Sequence, residues 1–306
     1  MGSESKRRRI VVTGATGLVG QALCAVLVGG GHDVRTLSRR PDPGAQSFHW
    51  DPERGLIDER AFEGADAVVH LAGENVADGR WNAERKERIL KSRVESTRLL
   101  AETLAALHPR PECLVSASAI GYYGMGRSQS VDESCAPGDD FLAEVCKAWE
   151  SAAQPAIDAG IRTAWLRIGV VLSRQGGALA KMLPAFRMGV GGKVGKGEQT
   201  MSWVSLDDLV AMIAFLIEDP SLRGPFNAVA PQAVSNAEFS HTLGKVLHRP
   251  ALLPVPGALL KLALGREMAD ALLLSGVRVL PRRLLEAGFQ WQYPELDAAL
   301  RAALQS

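Results

Sequence analysis

Residues 10–23 read IVVTGATGLVGQAL: an apolar β-branched run, then a turn with glycines at 14, 17 and 20, then the start of an amphipathic helix. This strand–turn–helix order decides the fold. A glycine at position 14 permits a tight turn, and one at 17 lets the backbone approach a pyrophosphate. One at 20 allows close packing of helix on strand, while the helix N-terminus offers N–H groups and a positive dipole end. The spacing predicts a dinucleotide-binding βαβ unit, because the glycines stand in the context that such a site requires.

Around this stretch, short β-branched runs alternate with helical patterns, which predicts a parallel sheet covered by helices on both faces. Strands are expected at Ile10 to Thr13, Asp33 to Leu37, Ser47 to Trp50, Ala67 to Leu71, Glu112 to Ser116 and Arg162 to Ile168. Helices are expected near Gly17 to Val28, Ala83 to Leu107 and Phe141 to Asp158. Runs such as AVVHLAG and CLVSAS are near-continuously apolar, as buried parallel strands should be. The fold class is therefore α/β, a Rossmann-type doubly wound parallel sheet with a smaller C-terminal α/β lobe. Residues 1–172 are expected to form the nucleotide-binding domain, with 204–220 returning to it, and 173–306 most of the second lobe. In that half the pattern gives a helix over Leu206 to Ile217, the strand GPFNAVA, and helices near Asn236 to Leu247, Gly257 to Leu264, Ala269 to Leu274 and Pro294 to Leu304.

The second strand ends RTLSRRP, with Ser38, Arg39 and Arg40 where an acidic residue would bind the ribose 2′-hydroxyl of NAD. No acid repels a 2′-phosphate there, and guanidinium groups stand ready to pair with one. The cofactor expected is NADP(H) rather than NAD(H).

The chain has 306 residues, 35 Lys and Arg against 34 Asp and Glu, and a net charge of +1. That balance, with no clustered basic face, excludes a nucleic-acid partner. The run Lys6 to Arg9 reads as a solvated terminal stub. No segment reaches the roughly 18 apolar residues of a membrane helix, and no signal-peptide core precedes Ile10. Cys24, Cys113, Cys135 and Cys146 lack metal-ligand or CxxC spacing and read as reduced thiols of a cytoplasmic protein. The expected partners are a small-molecule substrate and, in assembly, a homodimer.

TGATGLVG, VVHLAG, SASAIGYYG and WVSLDDLV together resemble the extended short-chain dehydrogenase/reductase superfamily. More narrowly, HLAGENV with GRW, Ser92–Arg93, LRIGVVLS, GPFNAVAP and LPRRLLEAGFQW resemble its atypical "epimerase family protein" branch. The resemblance covers nearly the whole chain, and its tail from about Leu253 matches a segment of unknown function. It implies that Gly14, Ala15, Thr16, Gly17, Leu18 and Val19 cradle the cofactor phosphates, with Ser38 and Arg39 at the ribose phosphate. Leu71, Ala72 and Gly73 would line adenine and ribose, Arg93 would face the cleft, and Val171 would sit near the nicotinamide.

In that superfamily a tyrosine exchanges a proton with the substrate oxygen, a lysine four residues on lowers its pKa, and a serine binds the same oxygen. Such a phenol must fall well below about 10 to work near neutral pH. Ser118 matches the serine and Lys147 the lysine, but in DFLAEVCKAWE, residues 140–150, Ala143 holds the tyrosine position. Tyr122 or Tyr123, just beyond Ser118, could supply the phenol instead, as could water or a substrate group.

Two functions follow. One is an NADP-dependent oxidoreductase or epimerase on a small polar, sugar- or nucleotide-like substrate. The other is a catalytically silent NADPH-binding redox sensor or scaffold, kept open by Ala143. Asp132, Glu133, Asp139 and Asp140 read as a solvated acidic loop. Ser205 reads as an N-cap followed by first-turn Asp207 and Asp208. Five glycines between Gly189 and Gly197 suggest a loop covering substrate, with Lys193 and Lys196 as phosphate contacts.

Overall fold

The computed structural model describes residues 7–43 and 45–305. Its spine is an eight-stranded sheet in the order β11-β7-β6-β5-β1-β2-β3-β4. The first seven of these in chain order are β1 (Arg9–Thr13), β2 (Asp33–Ser38), β3 (Ser47–Asp51), β4 (Leu56–Ile57), β5 (Ala67–His70), β6 (Cys113–Ala119) and β7 (Arg162–Ile168). Every neighbouring pair is parallel except β3 with β4. Three short strands, β8 (Val170–Leu172), β9 (Thr200–Met201) and β10 (Trp203–Ser205), precede β11 (Gly224–Ala228), and β12 (Val234–Ser235) follows it. The fold is the Rossmann-type sheet that the glycine turn predicts.

Alternation along β1 sorts the core. Ile10 and Val12 face one side with α1 (Leu18–Gly29), and Val11 faces the other with α2 (Ala83–Ala106). Each such valine or isoleucine, removed from water, contributes roughly 1.5–3 kcal/mol. The expected helix over Phe141 to Asp158 is instead two, α3 (Phe141–Ser151) and α4 (Gln154–Asp158). Pro155 lacks the N–H that would continue the ladder, so it sits in the first turn of a new helix. A helix not expected from the sequence, α5 (Gly177–Arg187), carries Pro184 within it. After it come α6 (Leu206–Glu218), packed with α1 on the sheet, and α7 (Asn236–Leu247).

The last segment contains α8 (Gly257–Leu264), α9 (Arg266–Ala269), a π-helical turn over Asp270–Leu274, α10 (Arg282–Glu286) and α11 (Leu296–Gln305). Leu179, Leu183 and Phe186 of α5 share a core with Phe239, Leu243, Leu296 and Leu300. The segment also anchors onto the sheet half. Asp208, 1% exposed, accepts the backbone N–H groups of Gln292 and Tyr293, and the Trp291 indole donates to the Val229 carbonyl. Ser205 caps α6 by accepting the Asp208 N–H at 3.0 Å, as its position predicts.

Two expectations need correction. Arg8 and Arg9 are not a solvated stub: Arg8 pairs with Glu112 at 2.8 Å, and Arg9 pairs with Asp33 at 2.6 Å. Lys6 lies outside the described residues. The acidic loop is not merely solvated either. Glu133 is buried and accepts the N–H groups of Asn227 and Arg283, and Asp140 caps α3 through the Ala143 N–H. These carboxylates fasten loops, and burial pushes the Glu133 carboxyl up.

Candidate functional site

The glycine turn lies at the C-terminal edge of the sheet, between β1 and α1. Gly14 has φ +70°, and a Cβ there would stand 2.8 Å from the Leu71 carbonyl carbon and 2.9 Å from the Ala72 nitrogen. A Cβ at Gly20 would lie 2.2 Å from the Gly14 carbonyl oxygen. Turn, helix and the end of β5 thus approach to distances that only a bare backbone allows. Gly17 is the N-cap of α1 and has no side chain to satisfy the first-turn N–H groups. Those donors and the helix dipole leave an anion-binding end, with Thr16 and Gly17 exposed and Ala15, Leu18 and Val19 half-buried beside it.

At the end of β2, the Ser38 hydroxyl accepts the Arg40 N–H at 3.1 Å and tightens the turn. Arg39 and Arg40 are exposed, and neither guanidinium has a hydrogen-bond or ion-pair partner among the described residues. Two exposed guanidiniums at this strand end fit a nucleotide carrying an extra phosphate. The cradle itself fits a dinucleotide.

Leu71 and Ala72 follow β5 and are held by Thr13, whose hydroxyl oxygen stands 3.2 Å from the Leu71 nitrogen. The same hydroxyl meets His70 Nδ1 at 2.7 Å, and His70 Nε2 meets Thr97 Oγ1 at 2.9 Å. Burial pushes this imidazole down to about 3, so it stays neutral. Arg93 braces the same stretch. It donates to the Glu74 carbonyl at 2.8 Å, lies 4.9 Å from the Trp149 ring centroid, and sits where a Cβ on Gly73 would touch it. Burial lowers its pKa. Val171 lies on β8 beside the main core and pairs with Val204 of β10.

Ser118, near the end of β6, donates its hydroxyl proton to Glu150 Oε1 at 2.7 Å. Arg167 of β7 holds that carboxylate by both ends, Nε to Oε1 at 2.8 Å and Nη2 to Oε2 at 2.9 Å. It also donates to the Tyr123 hydroxyl at 2.9 Å, and its Cζ lies 3.3 Å from the Tyr122 ring centroid. Burial works against the Arg167 charge, but the Glu150 carboxylate outweighs it and the pKa is raised. Tyr123 completes the chain by donating to Asn227 Oδ1 at 2.7 Å. Its ring is wholly buried, and burial pushes the phenol up to about 12. Ser118, Tyr122 and Tyr123 are therefore brought together, through two residues that the motif reading passed over, Glu150 and Arg167.

Lys147 does not join them. It is half-exposed, with no hydrogen bond or ion pair among the described residues. The face of α3 turned to Ser118 carries Leu142, Cys146 and Glu150, at the i, i+4, i+8 spacing of one helical stripe. A Cβ at Gly121 would lie 3.2 Å from Leu142 Cβ and 3.8 Å from Cys146 Sγ, which itself reaches the Ala119 carbonyl at 3.7 Å. Ala143 and Lys147 are one residue further on, rotated about 100° away. The stripe that faces Ser118 thus offers Leu142 and Cys146 rather than a tyrosine and a lysine. The Cys146 thiol is pushed up to about 12 by burial, so neither residue exchanges protons near neutrality.

Among the described residues no cluster of His, Cys, Asp or Glu could hold a metal ion, and no helix is long and apolar enough to cross a membrane.

Comparison with known proteins matches residues 10–228 to the NAD dependent epimerase/dehydratase family and residues 255–303 to a domain of unknown function, DUF1731. An epimerase family protein of Mycobacterium bovis is 40% identical over 291 residues, covering 95% of this chain and 96% of that protein. Human epimerase family protein SDR39U1 (isoform 2), crystallised with NADPH, has a TM-score of 0.89 at 38% identity, covering 97% of this chain and 99% of that one. A nucleoside-diphosphate sugar epimerase from Corynebacterium glutamicum has a TM-score of 0.79 at 39% identity, covering 98% of this chain and 59% of that longer one.

Proposed function

The chain belongs to the NAD dependent epimerase/dehydratase family, and from that premise we propose that it binds NADP(H) and acts as an oxidoreductase or epimerase on a small polar substrate. The observation that carries the cofactor choice is the pair Arg39 and Arg40, exposed at the end of β2 beside a turn open to a pyrophosphate. The human relative crystallised with NADPH supports it. Sugar- or nucleotide-like substrates are the class favoured, in keeping with the name of the Corynebacterium relative.

NADP(H) bound at this edge would supply or accept a hydride. The protein's own part is positional. Ser118 is 2% exposed and donates its hydroxyl to Glu150, so its part is to orient that carboxylate. Tyr122, partly exposed and covered on one face by Arg167, is the phenol nearest this network with access to solvent. Tyr123 is better read as a packing post, since both its hydrogen bonds are internal.

A second reading, a silent NADPH-binding sensor or scaffold, is favoured by one observation: Leu142 and Cys146 occupy the stripe of α3 that faces Ser118. Calorimetric titration with NADP⁺, NADPH, NAD⁺ and NADH tests the common premise, and tight binding of the phosphorylated pair alone is expected. Failure of all four to bind removes both readings. A panel of carbonyl and alcohol substrates then separates them: turnover supports the enzyme. A change in association state or shape between NADP⁺ and NADPH, without turnover, supports the sensor.

A further inference from the structure

The glycine turn is enclosed by a ring of contacts that passes through the second lobe. On one side Gly14 abuts Leu71 and Ala72, and the chain continues through Gly73 into the turn at Asn75–Asp78. That turn is rigid. The Asn75 side chain accepts the Ala77 N–H at 2.9 Å and donates to Asp78 Oδ1 at 3.0 Å, while Arg85 holds Glu74 and the Asn75 carbonyl. On the other side Leu18, first residue of α1, touches Gly176 and Gly177, where Cβ atoms would lie 3.5 Å and 3.9 Å from it. These two glycines open α5. One turn further along α5, Lys181 reaches back across the cleft to Asp78 at 3.6 Å and the Ala77 carbonyl at 3.4 Å.

We propose that Lys181 and Asp78 are cofactor-retaining residues: their pairing closes this ring over the pyrophosphate and sets how fast NADP(H) leaves. The inference rests on the NADP(H) reading above. The links of the ring differ in strength. Gly14 on Leu71 and Leu18 on Gly176 are packed contacts, whereas Lys181 and Asp78 are 60% and 62% exposed in their side chains. An exposed ion pair is the cheapest link to break, so it is the one that opens. Release through this gap needs no movement of the sheet and no loss of buried packing.

The test is stopped-flow release of NADPH, followed by its fluorescence, from the full-length protein and from Lys181→Ala, Asp78→Asn, the double variant and Lys181→Arg. Both single substitutions are expected to raise the dissociation rate about two- to five-fold. The double variant should be no faster than either single one, and Lys181→Arg should restore the slow rate. All sites are exposed, so folding should be unaffected, and association rates serve as the check. NADPH bound normally by every variant with unchanged dissociation rates overturns the proposal, as does strict additivity in the double variant. A wild-type protein that does not bind NADPH overturns the cofactor reading, and with it this one.

Discussion

Ser118 hands its hydroxyl proton to Glu150 at 2.7 Å, and the same carboxylate is gripped at both oxygens by Arg167. The two side chains of the ion pair are 3% and 12% exposed. Removing one partner from such a pair strands a buried charge. Glu150→Ala should therefore cost about 3–5 kcal/mol, whereas Ser118→Ala should cost about 1 kcal/mol, as for one hydrogen bond. Urea unfolding measures both, and comparable small losses would show that Arg167 finds another partner.

Arg39→Glu should weaken NADPH binding about ten- to a hundred-fold, the worth of a charge-assisted hydrogen bond at 1.5–3 kcal/mol. NADH lacks the phosphate and should lose little. Titration of both nucleotides decides the matter: equal losses would mean that the arginine supports the loop rather than reads the phosphate.

His70 gives a pH dependence with a definite sign. Its folded-state pKa is about 3 against an ordinary value of 6.5. The unfolded chain therefore takes up a proton that the folded chain refuses, and the stability present above pH 6.5 is lost as pH falls toward 3. The slope from this residue is about 1.4 kcal/mol per pH unit inside that window. His70→Gln, compared with wild type across the window by chemical denaturation, should flatten the curve by that amount. A parallel pair of curves would place the titration elsewhere.

Gly20→Ala should push the Gly14 carbonyl, which stands 2.2 Å from the new Cβ position, and open the turn. Overpacking of this kind costs about 1–3 kcal/mol. Unlike Arg39→Glu, it should weaken all four nicotinamide nucleotides alike. Discrimination retained at lower affinity is the expected calorimetric result, and unchanged affinity would show that the turn relaxes freely.

The Rossmann core was readable because its signals are local. Gly14, Gly17 and Gly20 sit within seven residues, and buried parallel strands write themselves as apolar runs. Residues that break locality were not readable. α5 hides in a stretch flanked by glycines and interrupted by Pro184, and only packing of Leu179, Leu183 and Phe186 against α7 and α11 makes it a helix. The Glu150–Arg167 pair joins a helix to a strand, and its signal was an arginine inside the otherwise apolar TAWLRI. Tyrosine–lysine spacing points to Ala143 and Lys147 on α3, whereas the side chains of that helix that meet Ser118 and Gly121 are Leu142, Cys146 and Glu150. That difference is not written in the spacing, because the phase of α3 shows only in the contacts of Leu142 and Cys146 with Gly121.

The C-terminal segment, which also packs Val277 and Val279 against Ile120 and Val131, has a consequence during synthesis. A ribosome that has delivered the chain as far as residue 228 has delivered every strand of the main sheet. Yet the wall beside Tyr123 is still open, because Val277 and Val279 pack there with Ile120 and Val131, and the Leu280 carbonyl takes the Asn227 amide. Until those residues emerge, a buried tyrosine and the Arg167 network face water along one side. The nascent sheet must wait, partly uncovered, until the chain has run on from residue 228 to residue 280, a period in which chaperones would find it and aggregation would compete.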